Sequence, residues 1–294
     1  MNALMPTLLD HRLNPNSAAD DYYDRILRQI GSAFESDGRF ELRLYPIRVA
    51  FAGDELVLEG EAKDIRAKKL ALAITTWLSD DVPVVNHLRV KPTERLSDLV
   101  IRGHLIKLLI EEPELKHCLI HSRLPNLLES HRKSIAQPSG SIVAEVADGI
   151  VTLNGEVTSL AQKRLAGVLA WWAPGCRDVV NGLETVPAQK DSDDEVSCAV
   201  RLALEKDPLV NAAKIRIKTT DYVVTLAGPI PNQAMKLSAE RDSWSVEGVK
   251  YVINRLDPIS ERIEGTLCRP TNSSVKNAVR VLSKFGRLLN TTNA

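Results

Sequence analysis

The order of apolar and polar residues changes in the same way in three successive segments of the chain. Apolar residues first recur at helical spacing, as in "VSCAV" (Val196 to Val200), and then alternate with polar ones, as in "KIRIK" (Lys214 to Lys218). The first pattern is typical of an amphipathic helix and the second of a strand with one solvated face. A second alternating stretch follows after a turn, such as Asp148-Gly149, and indicates a β-hairpin.

A second helix and a returning strand are predicted after each hairpin. Three glycines are each followed by an asparagine after 26 positions. A helix-capping residue stands four positions after each glycine, and Ser159 with Gln162 forms a capping box that predicts a helix start near Leu160. Each asparagine lies in a short apolar stretch, and a helix-sized connection allows that stretch to pair parallel with the hairpin. The pairs are Gly60 and Asn86, Gly155 and Asn181, and Gly228 and Asn254.

These elements give each segment the order helix, strand, strand, helix, strand. We therefore predict an α+β fold of three tandem αββαβ units, each with a three-stranded mixed sheet and two helices on one face. A core of this size is marginally stable alone, so we expect the units to pack on one another. The predicted units span 18–90, 94–186 and 193–257, with an insertion near 116–141 in the second unit and a basic amphipathic tail at 265–294.

The repeated segments resemble the BON domain family, the bacterial OsmY and nodulation domain. The likeness rests on "LEGEA" with "PVVNHL", "LNGEV" with "RDVVNGL", and "LAGPI" with "KYVINRL", and it covers most of residues 18–257. The first copy departs from the others, since Asp80 stands where they have Gly175 and Gly248. The resemblance implies a non-enzymatic module of bacterial envelope and stress proteins, with binding of anionic phospholipid as the associated activity.

Charge and composition restrict the partners. The 38 Lys and Arg residues balance 38 Asp and Glu residues, and aromatic residues make up 4% of the chain. This composition argues against nucleic acid as a partner, because nucleic-acid binding favours a basic field or aromatic stacking platforms. The four cysteines form no CxxC pair and are expected to be reduced. No cofactor is predicted, and the oligomeric state is left open.

The first residues and the hydropathy pattern bear on location. The segment "MNALMPTLLDHRLNPNS" has no Lys or Arg before its apolar residues, and Pro6 and Asp10 interrupt them, so we expect no export signal. The sequence also has no uncharged apolar run near the length of about 18 residues that a membrane span needs. We therefore expect a cytoplasmic protein or one that is peripheral to a membrane.

The repeated glycines and asparagines are interpreted as structural. Each glycine is expected to end a strand and to allow a tight passage into the helix, because neither a GxGxxG motif nor a P-loop spacing surrounds it. Each asparagine is expected to bond backbone groups of a neighbouring loop. These six residues are therefore not predicted to bind a ligand.

Most of the histidines lie in or near the inserted segment "KHCLIHSRLPNLLESHRKSIAQPSGS" (Lys116 to Ser141). We interpret this segment as a basic, solvated surface loop. His117 and His121 are secondary candidates for zinc ligands, because a His-x3-His pair on a helix places two imidazoles on one side. Our prediction is a loop without a metal ion.

One further helix, "LSDLVIRGHLIKLLI" (Leu96 to Ile110), is apolar nearly all round. Helices of this type usually pack on two partners, so we expect this one to lie between two units, with docking on a membrane as the alternative. Trp171, Trp172 and Trp244 stand near helix ends and are expected to pack in the core or between units.

The tail after the third unit is the strongest sequence candidate for binding. In "SSVKNAVRVLSKFGRLLN" (Ser273 to Asn290), four cations recur at helical spacing beside apolar positions, which is typical of a basic amphipathic helix. Such a helix binds anionic membranes or acidic partners, although packing on the third unit is the simpler interpretation. The four cations are Lys276, Arg280, Lys284 and Arg287.

The sequence holds no Ser-His-Asp arrangement and no paired carboxylates in a recognisable motif, so we predict that the protein is not an enzyme. We predict a non-enzymatic binding protein of tandem BON-like modules that recognises anionic phospholipid or membrane surfaces. The alternative is a soluble, stress-associated scaffold for protein–protein interactions. Flotation with anionic and with neutral liposomes, beside a pull-down, separates the two functions.

Overall fold

Three αββαβ repeats follow one another in the computed structural model, which describes residues 18–79, 82–132 and 138–259. In each repeat a β-hairpin lies between two helices in the chain. The strand after the second helix then pairs parallel with the second strand of the hairpin. The predicted α+β fold in tandem repeats is therefore confirmed.

The first repeat comprises α1 (Ala18–Ser36), β1 (Ile47–Ala52), β2 (Glu55–Ala62), α2 (Ile65–Leu78), β3 (Val84–Asn86) and β4 (Arg89–Val90). Its hairpin turns at Gly53 and Asp54, as predicted. The returning strand is divided into two pieces, β3 and β4, and both pair with β2. Its sheet therefore has four short strands where three were predicted.

The second repeat comprises α3 (Asp98–Glu111), β5 (Cys118–Leu124), β6 (Leu127–Arg132), β7 (Gly140–Ala147), β8 (Ile150–Val157), α4 (Leu160–Trp172) and β9 (Asp178–Thr185). Its strand order is β6-β5-β7-β8-β9, so the sheet has five strands where three were predicted. The prediction of a solvated loop near 116–141 is wrong over β5 and β6. Cys118 and Ile120, on alternate positions of β5, are fully buried in one core with residues of α3.

The third repeat comprises α5 (Asp193–Lys206), β10 (Arg216–Thr220), β11 (Val223–Ile230), α6 (Gln233–Ser245) and β12 (Tyr251–Pro258). Its sheet has the predicted three strands, in the order β10-β11-β12. The hairpin turn lies at Asp221 and Tyr222. Both residues have positive φ, of 52° and 65°.

Side-chain caps confirm the predicted starts of the second helices. Asp64, Ser159 and Asn232 each accept a hydrogen bond from the backbone N–H three residues further on, at 2.8, 3.2 and 2.9 Å. These bonds satisfy donors that the first turn of a helix leaves without partners. In the capping box, Gln162 accepts the N–H of Thr158 at 3.1 Å, one residue before the partner that the motif predicts.

α3 packs on its own repeat rather than between two repeats. Ile101 and Leu105 are buried in the core of the second repeat, whereas Leu99 on the other side of the helix is 67% exposed. The prediction of a helix between units is wrong, because one face of α3 covers β5 and β7 and the opposite face meets solvent. No helix within the described ranges has the length and apolarity needed to cross a membrane.

The second helices of the three repeats hold the repeats together. The core of the third repeat takes in Ile65 from α2 and Val168 from α4. Trp171 and Trp172 contact the cores of both the second and the third repeat, and Trp244 is fully buried in the third. The predicted role of these tryptophans, in the core or between units, is confirmed.

The described helices and strands belong to one compact unit, which ends at Pro258. A second unit, Ile259–Ala294, begins there, and Ile259 is its only described residue. The predicted boundaries between the repeats remain predictions. At the boundary between the second and third repeats, Gln189 accepts the N–H of Leu160 at 2.9 Å and donates to the carbonyl of Thr158 at 3.2 Å. This linker is therefore bonded to the second repeat.

Candidate binding surface

The repeated glycines allow two strands of each hairpin to approach closely. Gly60, Gly155 and Gly228 have φ of +119°, +121° and +143°, a region that side chains disfavour. A Cβ at any of them would collide with a backbone carbonyl oxygen at the start of the hairpin. Each strand continues for two residues beyond its glycine, so the prediction that the glycine ends the strand is wrong. This correction does not change the structural role that is predicted for the three glycines.

Two of the three repeated asparagines, Asn181 and Asn254, bond the second helices rather than loops. Asn181 donates to the carbonyl of Lys163 in α4, and Asn254 donates to the carbonyl of Lys236 in α6, both at 2.9 Å. Asn86 accepts the N–H two residues further on at 3.0 Å. For Asn181 and Asn254 the expected loop partner is therefore corrected to the first turn of a helix, whereas Asn86 bonds the loop between β3 and β4. A side chain turned towards the helices does not contribute to the open face of the sheet.

At the C-terminal end of α6, both of the other repeats are bonded to the third. Lys69 of α2 donates to the carbonyl of Val246, and Arg164 of α4 donates to the carbonyl of Glu247, both at 3.0 Å. These cations satisfy carbonyl groups at the negative end of the helix dipole. Burial lowers the pKa of Lys69 to about 8. Both cations are occupied inside the protein and are not available to a ligand.

A second buried link joins the first and second repeats. The Asp178 carboxylate at the start of β9 accepts hydrogen bonds from Lys68 and Arg89 of the first repeat. Burial lowers the pKa of Lys68, and the charge of Asp178 opposes that shift. Removing one member of such a cluster leaves a buried charge without compensation. We interpret this cluster as structural.

Two carboxyl groups of the third repeat lack partners of this kind. Asp242 of α6 is fully buried beside Asp207, which follows the end of α5. Both oxygens of Asp242 and Oδ2 of Asp207 have no hydrogen-bond partner among the described residues. Burial raises the pKa of Asp242 to about 8, and the neighbouring Asp207 adds to the shift, while Arg241 opposes it. Asp242 is therefore mostly protonated at neutral pH.

The sheet of the third repeat has an exposed face that is basic. Side chains of a strand alternate between two faces, so the residues that alternate with the buried Val224 and Leu226 form the open one. Arg216 lies opposite Ala227 on β11, and Ala227 lies opposite Arg255 on β12. We name the open face of this sheet the basic face, after its three exposed cations. They are Arg216, Lys218 and Arg255.

The basic face also carries the exposed carboxylate of Asp257, two residues after Arg255 on β12. None of the three cationic side chains makes an ion pair or a hydrogen bond with a described residue. Neighbouring strands are about 4.8 Å apart, which places the backbones of Arg216 and Arg255 about 10 Å apart across Ala227. The small Ala227 side chain leaves the space between the two guanidinium groups open.

The corresponding face of the second repeat carries the opposite charge. Glu145, Glu156 and Glu184 project from β7, β8 and β9 on the side away from the helices, and we name this surface the acidic face. Glu156 lies directly opposite Glu184. No ion pair joins any of the three carboxylates to another residue of the described ranges. Arg123 of β5 also lies on this face, but the net charge of the face remains negative, and the open faces of the second and third repeats differ in the sign of their net charge.

Two stretches of the chain match the model of the BON domain family. They are residues 120–187, from β5 to just beyond the end of β9, and residues 192–257, which contain nearly all of the third repeat. The chain contains two BON domains. The first repeat lies outside both BON matches but has the same order of helices and strands. The basic face lies on the C-terminal BON domain, and the acidic face lies on the BON domain before it.

A curated relative contains sequence similar to this BON-domain protein. The chain is 32% identical over 124 residues to Osmotically-inducible protein Y of Escherichia coli (strain K12). The alignment covers 40% of this chain and 62% of the relative. The chain thus spans about three fifths of the length of the curated relative that it matches.

Two solved structures of CdsD, a structural protein of the type III secretion system of Chlamydia trachomatis, are also similar in part. One is its C-terminal domain, which is 15% identical with a TM-score of 0.21, and the match covers 80% of this chain and 97% of that one. The other is 16% identical with a TM-score of 0.21 and covers 84% and 99%. At these scores the likeness does not bear on the arrangement or function of the BON domains.

The structure does not support the helical pairing that made His117 and His121 candidates for zinc. His121 lies in β5 and His117 immediately precedes that strand, so the two imidazoles are not one helical turn apart. Within the described ranges, no group of three or more His, Cys, Asp or Glu residues is placed to hold a metal ion. The premise of the zinc candidate is therefore wrong.

A serine and a histidine meet in the same region without forming a catalytic arrangement. Ser122 Oγ lies 2.8 Å from His131 Nε2, and Glu129 approaches the same ring nitrogen at 3.7 Å. A catalytic triad needs the acid at the other ring nitrogen. Ser122 is also fully buried. The pair links β5 to β6 inside the BON domain.

The remaining sequence candidates lie outside the described residues. Lys276, Arg280, Lys284 and Arg287 all belong to the segment after Ile259. The basic face was missed at the sequence level, although "KIRIK" showed part of it as charges on one side of a strand. Arg255 joins that set only through the pairing of β11 with β12.

Proposed function

We propose that this chain is a non-enzymatic BON-domain protein that binds anionic phospholipid surfaces through the basic face. The observation that carries the proposal is the set of exposed cations Arg216, Lys218 and Arg255, which form no ion pair with a described residue and outnumber the carboxylate of Asp257 on the same face. Near an anionic membrane, each cation contributes about 1 kcal/mol. Three cations therefore support reversible binding of a few kcal/mol.

The layout of the basic face suits phosphate groups. Arginine binds phosphate oxygens through two parallel N–H donors, and Arg216 and Arg255 flank the small Ala227. Lys218 adds a third positive charge two residues along β10. Such a surface favours phosphate-bearing headgroups over neutral ones. Because the cations are exposed, added salt screens the attraction.

A second function, a stress-associated scaffold for proteins, is favoured by the acidic face. An anionic membrane repels Glu145, Glu156 and Glu184, whereas a basic protein surface attracts them. The relative's name, Osmotically-inducible protein Y, supports a setting of osmotic stress for either function. Membrane binding remains the first proposal, because an anionic membrane attracts the exposed cations of the basic face.

Liposome flotation tests the membrane proposal. The wild-type chain is expected to float with vesicles of phosphatidylglycerol and phosphatidylcholine at low salt, and not with vesicles of phosphatidylcholine alone. The variant Arg216→Glu, Lys218→Glu, Arg255→Glu loses about 3 kcal/mol of attraction and is expected to bind at least a hundredfold more weakly. The matched control reverses three exposed cations elsewhere, in Arg43→Glu, Lys116→Glu, Arg201→Glu.

The two variants change the net charge equally, so only position distinguishes them. Loss of flotation in the first variant and its retention in the second supports the basic face. Equal binding by the two variants overturns the assignment, because the attraction is then not specific to that face. Circular dichroism of both variants verifies that the repeats remain folded.

A further inference from the structure

The chain is neutral as a whole, yet its described surface is divided into faces of opposite charge. On the acidic face, Glu156 and Glu184 form a cross-strand pair of like charges, which destabilises a sheet unless a cation lies nearby. In the first repeat the position that corresponds to Glu156 is Glu61, which has Lys91 at 3.9 Å and Arg177 at 3.6 Å. The second repeat lacks such cations at this position in the described chain.

We infer that the acidic face of one molecule binds the basic face of a second copy of this chain. The charges are complementary, since one face carries three carboxylates, of which Glu156 and Glu184 are exposed, the other carries three exposed cations, and neither set forms an ion pair within the described residues. Complementary patches of this kind steer association and fix its register. The zero net charge of the chain means that two copies do not repel each other overall.

The shapes of the two faces permit the contact. Both are open faces of sheets, and two sheets pack face to face at about 10 Å with side chains of both filling the space between. Small residues lie among the charges on each face, with Gly182 on β9 and Ala227 on β11. Val180 on the acidic face is 52% exposed and adds apolar area that the contact buries.

The contact joins two different surfaces, so it is heterologous. A heterologous contact leaves one face free on each molecule, and further copies then add unless the assembly closes. Association is therefore expected to increase with protein concentration and to weaken with salt. It uses the basic face named above but does not depend on membrane binding by that face.

Sedimentation velocity with two oppositely altered variants tests the inference. The variant Glu156→Lys, Glu184→Lys has two basic faces, and the variant Arg216→Glu, Lys218→Glu, Arg255→Glu has two acidic faces. The wild-type chain at low salt is expected to show a sedimentation coefficient that rises with concentration. Each variant alone is expected to sediment as a monomer, and an equimolar mixture is expected to associate again. Renewed association in the mixture also shows that both variants are folded, because it requires an intact sheet face on each of them.

Either of two results overturns the inference: a wild-type chain that stays monomeric at low salt, or association that persists in both separate variants. The variant Arg43→Glu, Lys116→Glu, Arg201→Glu is the control and is expected to associate like the wild type. The proposed membrane function is tested separately, because Glu156→Lys, Glu184→Lys keeps the basic face. That variant is expected to retain flotation with anionic vesicles while it loses self-association.

Discussion

Asp207 and Asp242 bring two carboxyl groups together inside the third repeat, and Asp242 is fully buried. The only cation that interacts with the pair within the described residues is Arg241, at 3.7 Å from Asp207 and 3.6 Å from Asp242. Burial disfavours the charged form of Asp242, and the neighbouring Asp207 adds to this effect, so Asp242 retains its proton to a higher pH. The pair therefore links the stability of this repeat to pH.

The stability of the third repeat is predicted to fall as pH rises. The pKa of Asp242 is raised from 3.8 to about 8, so its contribution to stability is fully present below pH 3.8 and is lost as pH rises to about 8. The slope from this one group is at most about 1.4 kcal/mol per pH unit. Asp242→Asn is expected to remove the slope and to be more stable than the wild type at pH 8.

Urea unfolding at several pH values measures this effect. The quantity compared is the free energy of unfolding of Asp242→Asn minus that of the wild type at each pH. Glu205→Gln is the control, because Glu205 is an exposed acid on α5 of the same repeat. The control is expected to unfold like the wild type at every pH. A difference between Asp242→Asn and the wild type that stays constant from pH 4 to 8 contradicts the prediction.

The buried Arg164 is predicted to protect the linker between the second and third repeats. Its guanidinium pairs with Asp191 at 2.6 Å and donates to the carbonyl of Glu247. Arg164→Met removes both interactions and is expected to cost about 2 kcal/mol, below the 3 to 5 kcal/mol of a fully buried pair because Asp191 is 38% exposed. Limited proteolysis is expected to cut the variant faster at residues 187–192.

Lys163→Met is the matched control for the linker. Lys163 is the neighbouring residue on α4 and pairs with Glu247 at 3.5 Å, but it makes no bond to the linker. Its cleavage rate is expected to equal that of the wild type. Equal protection in Arg164→Met is the result that contradicts a role of Arg164 at this boundary.

The repeats were predictable because their signals are local. The capping residues Asp64, Ser159 and Asn232 and the turn at Asp148 and Gly149 each act within a few positions of the chain. Helix caps and tight turns depend on residues within a few positions, so they can be predicted without knowledge of the tertiary structure. The order of helices and strands follows from these signals and from the period of the apolar residues.

The errors concern residues whose surroundings come from distant parts of the chain. Strand β5 was missed because its buried positions include the polar Ser122, which is satisfied there by His131. α3 was placed between repeats because it is apolar nearly all round, and the pattern does not reveal that Leu99 stays exposed. The basic face was missed because Arg255 comes near Arg216 only through strand pairing.

Gly155→Ala is predicted to destabilise the second repeat more than Asn181→Ala. A side chain at Gly155 meets the carbonyl oxygen of Ser141 and also strains a backbone with φ of +121°. The strain alone costs about 1 to 3 kcal/mol, and the collision adds to it. Asn181→Ala removes hydrogen bonds to the carbonyl of Lys163 and to the carboxylate of Glu247, for each of which about 1 kcal/mol is typical.

Thermal and urea unfolding of Gly155→Ala and Asn181→Ala measure which variant loses more stability. Gly103→Ala is the matched control, since Gly103 lies on the exposed side of α3 with nothing within 4 Å of an added Cβ. Alanine is the better helix former, so the control is expected to gain up to about 1 kcal/mol. A larger loss from Asn181→Ala than from Gly155→Ala contradicts the prediction and makes the asparagine network the larger contribution.

The tail cations Lys276, Arg280, Lys284 and Arg287 are predicted to add to the attraction of the basic face for anionic membranes. Four cations at about 1 kcal/mol each give about 4 kcal/mol at best, which is similar to the contribution of the three on the basic face. Reversal of all four to Glu is expected to weaken flotation with anionic vesicles at low salt by at least a hundredfold and to leave the unfolding midpoint of the repeats unchanged.

Combining the tail reversal with the reversal on the basic face distinguishes two contact regions from one. Contributions from independent regions add as free energies, so the combined variant is expected to show the product of the two separate losses in affinity. If the tail reversal leaves flotation unchanged, the tail makes no contact with the membrane and the basic face alone accounts for binding. If the unfolding midpoint falls instead, the tail cations stabilise the fold, because unfolding is measured without vesicles and membrane binding does not contribute to it.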